Sequence, residues 1–77
     1  MKYRITRIRL KTGEVVTDKE FPATENVFDG EAPVVGTIVS VKCRGREIRA
    51  RIIWGNWPGR KIESPQGKPH PLRVEEI

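Results

Sequence analysis

Basic side chains occur in this sequence at positions that suit the binding of phosphates. Fifteen lysines and arginines outnumber ten aspartates and glutamates, and they concentrate in residues 1–11 and 42–51. A guanidinium group presents a planar fork of donors that matches a phosphate and also stacks on a nucleobase. An exposed tryptophan in the turn-rich stretch 55–59 would add an aromatic surface for an unpaired base. The pattern predicts a nucleic-acid surface formed by Lys42, Arg44, Arg46, Arg49, Arg51 and Trp57, which Lys2, Arg4 or Arg9 would extend.

Two other interpretations of the same residues stay open. Trp and Arg dominate the binding energy of protein interfaces, so the surface could instead grip an acidic or proline-rich protein partner. Trp57 could also pack across one end of the domain. In the other interpretation the arginines form a solvated face that keeps the protein soluble. Residues 12–31, which contain six acids and only one base, Lys19, partly balance this charge.

Catalytic and metal-binding patterns are missing from the sequence. It contains no glycine-rich phosphate loop, no nucleophile elbow and no metal-ligand spacing, which predicts a protein that is not an enzyme and has no cofactor. His70 has a proline on each side, and we expect an exposed loop histidine there. Cys43 cannot form an intramolecular disulfide, and alternation places it in the core. The basic neighbours of Cys43 leave open the alternative of a thiol with a lowered pKa.

Positioning of the basic residues depends on a hairpin over residues 34–54. Val39, Val41 and Cys43 share one parity, whereas the apolar residues that follow share the other. The two sets lie on one face of the hairpin if the residue numbers of each cross-strand pair add up to an odd number. A two-residue turn at Arg44-Gly45 gives this register. The predicted pairs are Val41 with Ile48, Val39 with Ala50 and Thr37 with Ile52, and the same parity directs Trp54 into the core.

The rest of the chain supplies shorter strands. A strand over residues 3–11 holds all four of its apolar residues on one face only if it bulges near Thr6-Arg7; otherwise both faces are partly covered. A turn at Thr12-Gly13 leads to a second strand, which Phe21-Pro22 ends. We expect one helical turn over 24–28, with Val27 and Phe28 plugging one end of the barrel, a short strand over 60–63, a loop over 64–71 and a last strand over 72–77.

The central hairpin resembles a known architecture. Residues 35–41, the charged turn 44–46 and the strand 48–53 with its alanine are similar in layout to the leading hairpin of SH3-like barrels, including Tudor and KOW modules. The chain lacks the full aromatic cage of a Tudor domain that reads methyl-lysine, and it lacks the glycine expected late in a KOW motif. The resemblance implies an all-β fold, a small antiparallel SH3-like barrel of five or six strands in a single domain over 1–77. Without a signal peptide or a continuous apolar stretch, we expect a cytoplasmic protein that does not associate with membranes.

Overall fold

The structure of this chain is a computed structural model that describes residues 2–22, 24–59 and 68–77. The described residues form six β-strands. The all-β class predicted from the sequence is therefore confirmed. Among the described residues no helix is present that is long and apolar enough to cross a membrane. The strands are β1 (Lys2–Arg9), β2 (Val15–Thr17), β3 (Val27–Asp29), β4 (Ile38–Cys43), β5 (Arg46–Trp54) and β6 (His70–Glu76).

The strands form one mixed sheet in the order β2-β1-β6-β5-β4, and β3 pairs with β1 beside β2. The C-terminal strand β6 lies at the centre, antiparallel to β5 and parallel to β1. The prediction of a purely antiparallel sheet was wrong at this one pairing. The long connection after β5 lets β6 pair with β5 along one edge. The other edge of β6 pairs with β1, which runs in the same direction as β6.

The β4–β5 hairpin has the predicted register. Val41 pairs with Ile48 and Val39 with Ala50, and the strands are joined by a two-residue turn. Arg44 (φ 52°) and Gly45 (φ 79°) both adopt positive φ angles, as a type I′ turn requires. The twist of this turn matches the twist of the flanking strands, so the turn fixes the register that buries one face of the hairpin.

The bulge predicted in the first strand is also present. The pairing of β1 with β6 shifts between Ile5 and Arg7, so one extra residue lies between the two halves of β1. Ile5 and Ile8 are consequently both buried despite their opposite parity, and Tyr3 and Leu10 pack against the same core. Further side chains from four other strands are fully buried in this core: Val16, Val41, Ile52, Leu72 and Val74.

Residues 24–28 differ from the expectation of a helical turn. They make a turn that leads into β3, and Phe28 stacks on Tyr3 with the ring centroids 5.2 Å apart instead of plugging the core. The second strand ends at Thr17, earlier than predicted. Pro71, assigned to a loop, already belongs to β6. The strand expected over 60–63 lies outside the described residues.

Asn26 links the two sides of the sheet. Its backbone oxygen accepts a hydrogen bond from the amide of Ile5 in β1 (3.0 Å). Its side-chain amide donates to the backbone oxygen of Lys42 (2.7 Å) and accepts from the backbone amide of Lys42 (2.9 Å). One buried side chain therefore links the edge of β4 that faces away from β5 to β1, which brings the two ends of the sheet close together.

Candidate nucleic-acid interface

The residues that the sequence assigned to a binding surface lie in different places. Arg49 and Arg51 point away from the core on the solvent face of β5. Lys42 lies on the same face of β4, opposite Glu47. Arg46 lies opposite buried Cys43, at the exposed end of the hairpin. Trp57 follows β5 in a loop and is 41% exposed.

Arg44 is held by two carboxylates. Its guanidinium contacts Glu14 through two hydrogen bonds of 2.6 and 2.9 Å and Glu20 through a 3.0 Å bond from Nε. The hydrogen bonds from Arg44 lower the pKa of both glutamates, and the glutamates raise the pKa of Arg44 in turn. The guanidinium group that would hold a phosphate is therefore occupied by two acids of the acid-rich residues 12–31. The contact with Glu14 joins the turn of the β4–β5 hairpin to the turn between β1 and β2.

Trp54 lies on the solvent face of the sheet, so its predicted burial is wrong. The pairing of β5 with β6 shifts between Ile52 and Trp54, and the extra residue reverses the side on which Trp54 emerges. The indole is 39% exposed. The guanidinium carbon of Arg73, its partner on β6, lies 4.3 Å from the centroid of the ring, a cation–π contact.

Pairing across the sheet brings further arginines beside this tryptophan. In one row Arg7 of β1, Arg73 of β6 and Trp54 of β5 are successive partners. In the next row the partners are Arg9, Glu75 and Arg51. Neighbouring strands lie about 4.8 Å apart and alternate residues of one strand about 6.6 Å apart, so these side chains share a small area. We call Arg7, Arg9, Arg51, Arg73 and Trp54 the arginine–tryptophan face.

A groove runs along this face. One depression of about 250 Å³ lies between the indole of Trp54 and the β1 side, and an adjoining one of about 360 Å³ continues towards the end of β2. Arg7 and Arg73 line both depressions, so the two lie next to each other, and Asp18 and Lys19 also line the second. The first depression is lined by Arg7, Arg9, Val15, Ile53, Trp54, Arg73 and Val74.

Three members of this face were not predicted from the sequence. Arg7 and Arg73 were not assigned to a surface, and Trp54 was assigned to the core. A signal was present for Arg73, since it alternates with buried Leu72 and Val74 in the last strand. No signal in the sequence marks the bulge after Ile52, because Ile52-Ile53-Trp54 is apolar at every position.

The two residues with reactive side chains belong to the structure of the domain. Cys43 is buried, as expected of a core residue, and burial raises the pKa of its thiol, so the alternative of a lowered pKa was wrong. His70 is half-buried in β6, where its Nε2 lies 2.6 Å from the backbone oxygen of Gly55 and donates to it. The prediction of an exposed loop histidine was therefore wrong. In the described part of the chain, no three His, Cys, Asp or Glu side chains lie close enough to hold a metal ion.

Comparison with known proteins identifies no relative: the chain matches no protein-family model, no curated protein and no solved structure.

Proposed function

We propose that this protein is a non-catalytic nucleic-acid-binding module that holds a single strand on its arginine–tryptophan face. The observation that carries the proposal is the half-exposed indole of Trp54 among four arginines on one face of the sheet. Proteins that bind single strands combine positive charge along the backbone path with aromatic rings on which bases stack. We extend the proposal to an SH3-like fold and to the cytoplasm, where a lone free cysteine is ordinary.

Each part of the face has a distinct task in this proposal. Arg7, Arg9 and Arg51 neutralise phosphates, because guanidinium forks bind phosphate oxygens in pairs. Trp54 presents an aromatic surface for one base. Arg73 already stacks on that ring, so a base adds to the guanidinium–indole stack or takes the place of the guanidinium, which then turns to a phosphate. A paired base cannot reach the ring, so the surface favours unpaired strands.

Salt dependence gives the first test. Three arginines, or four if Arg73 also turns to a phosphate, each neutralise one phosphate of a single strand. A plot of the logarithm of the affinity against the logarithm of the salt concentration should then have a slope of about −2.1 to −2.8, which is roughly a 20- to 50-fold loss of affinity between 50 and 200 mM salt. Fluorescence anisotropy of a labelled oligonucleotide of about 12 residues measures this slope. A protein that binds neither a single strand nor the matching duplex at low salt would refute the proposal.

A pair of double variants locates the surface. Arg9→Gln with Arg51→Gln removes two charges from the proposed face, and Lys42→Gln with Arg46→Gln removes two from the hairpin end. We expect the first pair to reduce the salt slope by about 1.4 and to weaken binding, whereas the second leaves the slope nearly unchanged. The reverse order would move the site to the end of the hairpin that carries Lys42 and Arg46.

An acidic protein partner would use the same guanidinium groups but has no use for stacking. Polyglutamate of matched charge serves as the competitor. If it displaces the oligonucleotide at equal concentrations of negative charge, the face recognises charge alone and an acidic protein becomes the better assignment. If the oligonucleotide is retained, the bases contribute to binding as the proposal requires.

A further inference from the structure

Glu75 is the one acidic residue within the described rows of the arginine–tryptophan face. It is the direct partner of Arg9 on one side and of Arg51 on the other, and it lies two residues beyond Arg73 on the same face of β6. Successive residues on one face of a strand lie about 6.6 Å apart, so Glu75 is one position away from the guanidinium–indole stack.

Glu75 is half-buried and, in the part of the chain that the structure describes, makes no direct ion pair with the neighbouring arginines. Among the described residues, neither Arg9 nor Arg51 forms an ion pair with Glu75, in contrast to the double pair that Arg44 makes elsewhere. An acid at this place repels phosphates, so a strand lies with its backbone over the flanking arginines and not over Glu75. The group that then lies nearest to Glu75 is the edge of the stacked base.

We propose that Glu75 is a specificity-determining residue that accepts a hydrogen bond from the exocyclic amino group of the base stacked at Trp54. This inference rests on the proposed function. A carboxylate only accepts hydrogen bonds, so it favours the amino group of cytosine and disfavours thymine or uracil, which present an oxygen at the same position of the ring. The ligand class is therefore a single strand with an amino-bearing base at the Trp54 position.

Matched homopolymers test this assignment in the wild-type protein. Oligo(dC) and oligo(dT) of equal length share the backbone and the size of the base, and they differ in the group that faces Glu75. We expect oligo(dC) to bind at least about fivefold more tightly at pH 7.5, the lower end of what one correct base contact contributes. Equal binding of both would overturn the inference and leave the proposed function standing. Binding of neither would refute the proposed function itself.

Two charge-matched variants show whether Glu75 is the source of the preference. Glu75→Gln removes the repulsion of phosphates and adds an amide donor, so both oligonucleotides should bind more tightly, oligo(dT) by the larger factor, and the ratio should approach one. Glu47→Gln removes the same charge from β5, opposite Lys42, and should keep the wild-type ratio. If the preference for oligo(dC) survives in Glu75→Gln, or disappears equally in Glu47→Gln, a group other than Glu75 is its source.

Discussion

The side chain of Asn26 gives the sharpest test of how the sheet holds its shape. Asn26 is 7% exposed and adopts a φ of 58°, a left-handed conformation that asparagine tolerates better than most residues. Its amide exchanges two hydrogen bonds with the backbone of Lys42, at the edge of β4 that faces away from β5. Replacing the side chain therefore removes a link between the β1 side and the β4 side of the sheet.

Two substitutions separate the contributions to stability. Asn26→Gly keeps the left-handed backbone accessible and loses both hydrogen bonds, each with a net value of about 1 kcal/mol, so we expect a loss of about 2 kcal/mol. Asn26→Ala loses the same bonds and also places a Cβ in the left-handed conformation at a further cost of about 1 kcal/mol. The expected total for alanine is about 3 kcal/mol, which corresponds to a lowering of Tm by roughly 12–24 °C in a domain of this size.

Equilibrium urea denaturation followed by tryptophan fluorescence measures both values. The m-value should stay constant, because the variants change the strength of the native state and not the surface exposed on unfolding. Stability within about 0.5 kcal/mol of wild type for Asn26→Gly would show that the amide does not hold the edge of β4. Equal losses for glycine and alanine would contradict the left-handed backbone.

Three further predictions concern packing, charge and reactivity. Gly55→Ala should destabilise the domain by more than about 3 kcal/mol, because its Cβ would lie 2.5 Å from a backbone oxygen of β6, whereas Gly59→Ala, with open space around it, should cost only about 1 kcal/mol in the same urea assay. Arg44→Met should flatten the acid limb of the plot of unfolding free energy against pH, because Arg44 lowers the pKa of two glutamates in the folded state. Their stabilisation is present above the ordinary pKa of 4.5 and is lost as the pH falls through the lowered values. Arg46→Met, which should keep the wild-type acid limb, is the control. Cys43 should react with a thiol reagent at pH 8 far more slowly in the native protein than in urea, since the thiol is buried and its pKa is raised; equal rates in both states would contradict its burial.

Much of the central hairpin could be predicted because its constraints are local. The alternation of apolar residues and the Arg44-Gly45 turn allow only one register that buries a face, and the structure has that register. The bulge in β1 was also predictable. Four apolar residues of mixed parity, from Tyr3 to Leu10, can share a face only if one extra residue lies among them.

The binding face could not be predicted in the same way, because it depends on pairings distant in sequence. Arg7 and Arg73 become neighbours only through the parallel pairing of β1 with β6, which no local pattern specifies. The second bulge reverses Trp54, and its apolar surroundings hide it from a parity argument. β3 was missed because its pairing with β1 follows the left-handed turn at Asn26, where the propensities favoured a helical turn. The SH3-like resemblance stays a prediction.

The two tryptophans provide the most direct test of the proposed function. Trp54 and Trp57 are exposed to nearly the same extent, 39% and 41%, so replacing either with alanine removes a similar apolar surface. Trp54 alone stacks with Arg73 in the groove. We predict that Trp54→Ala weakens binding of a single-stranded oligonucleotide by roughly 5- to 150-fold, the value of about 1–3 kcal/mol for one stacked base, whereas Trp57→Ala stays within about twofold of wild type. Unchanged binding in Trp54→Ala, or a larger loss in Trp57→Ala, would contradict the assignment of the arginine–tryptophan face.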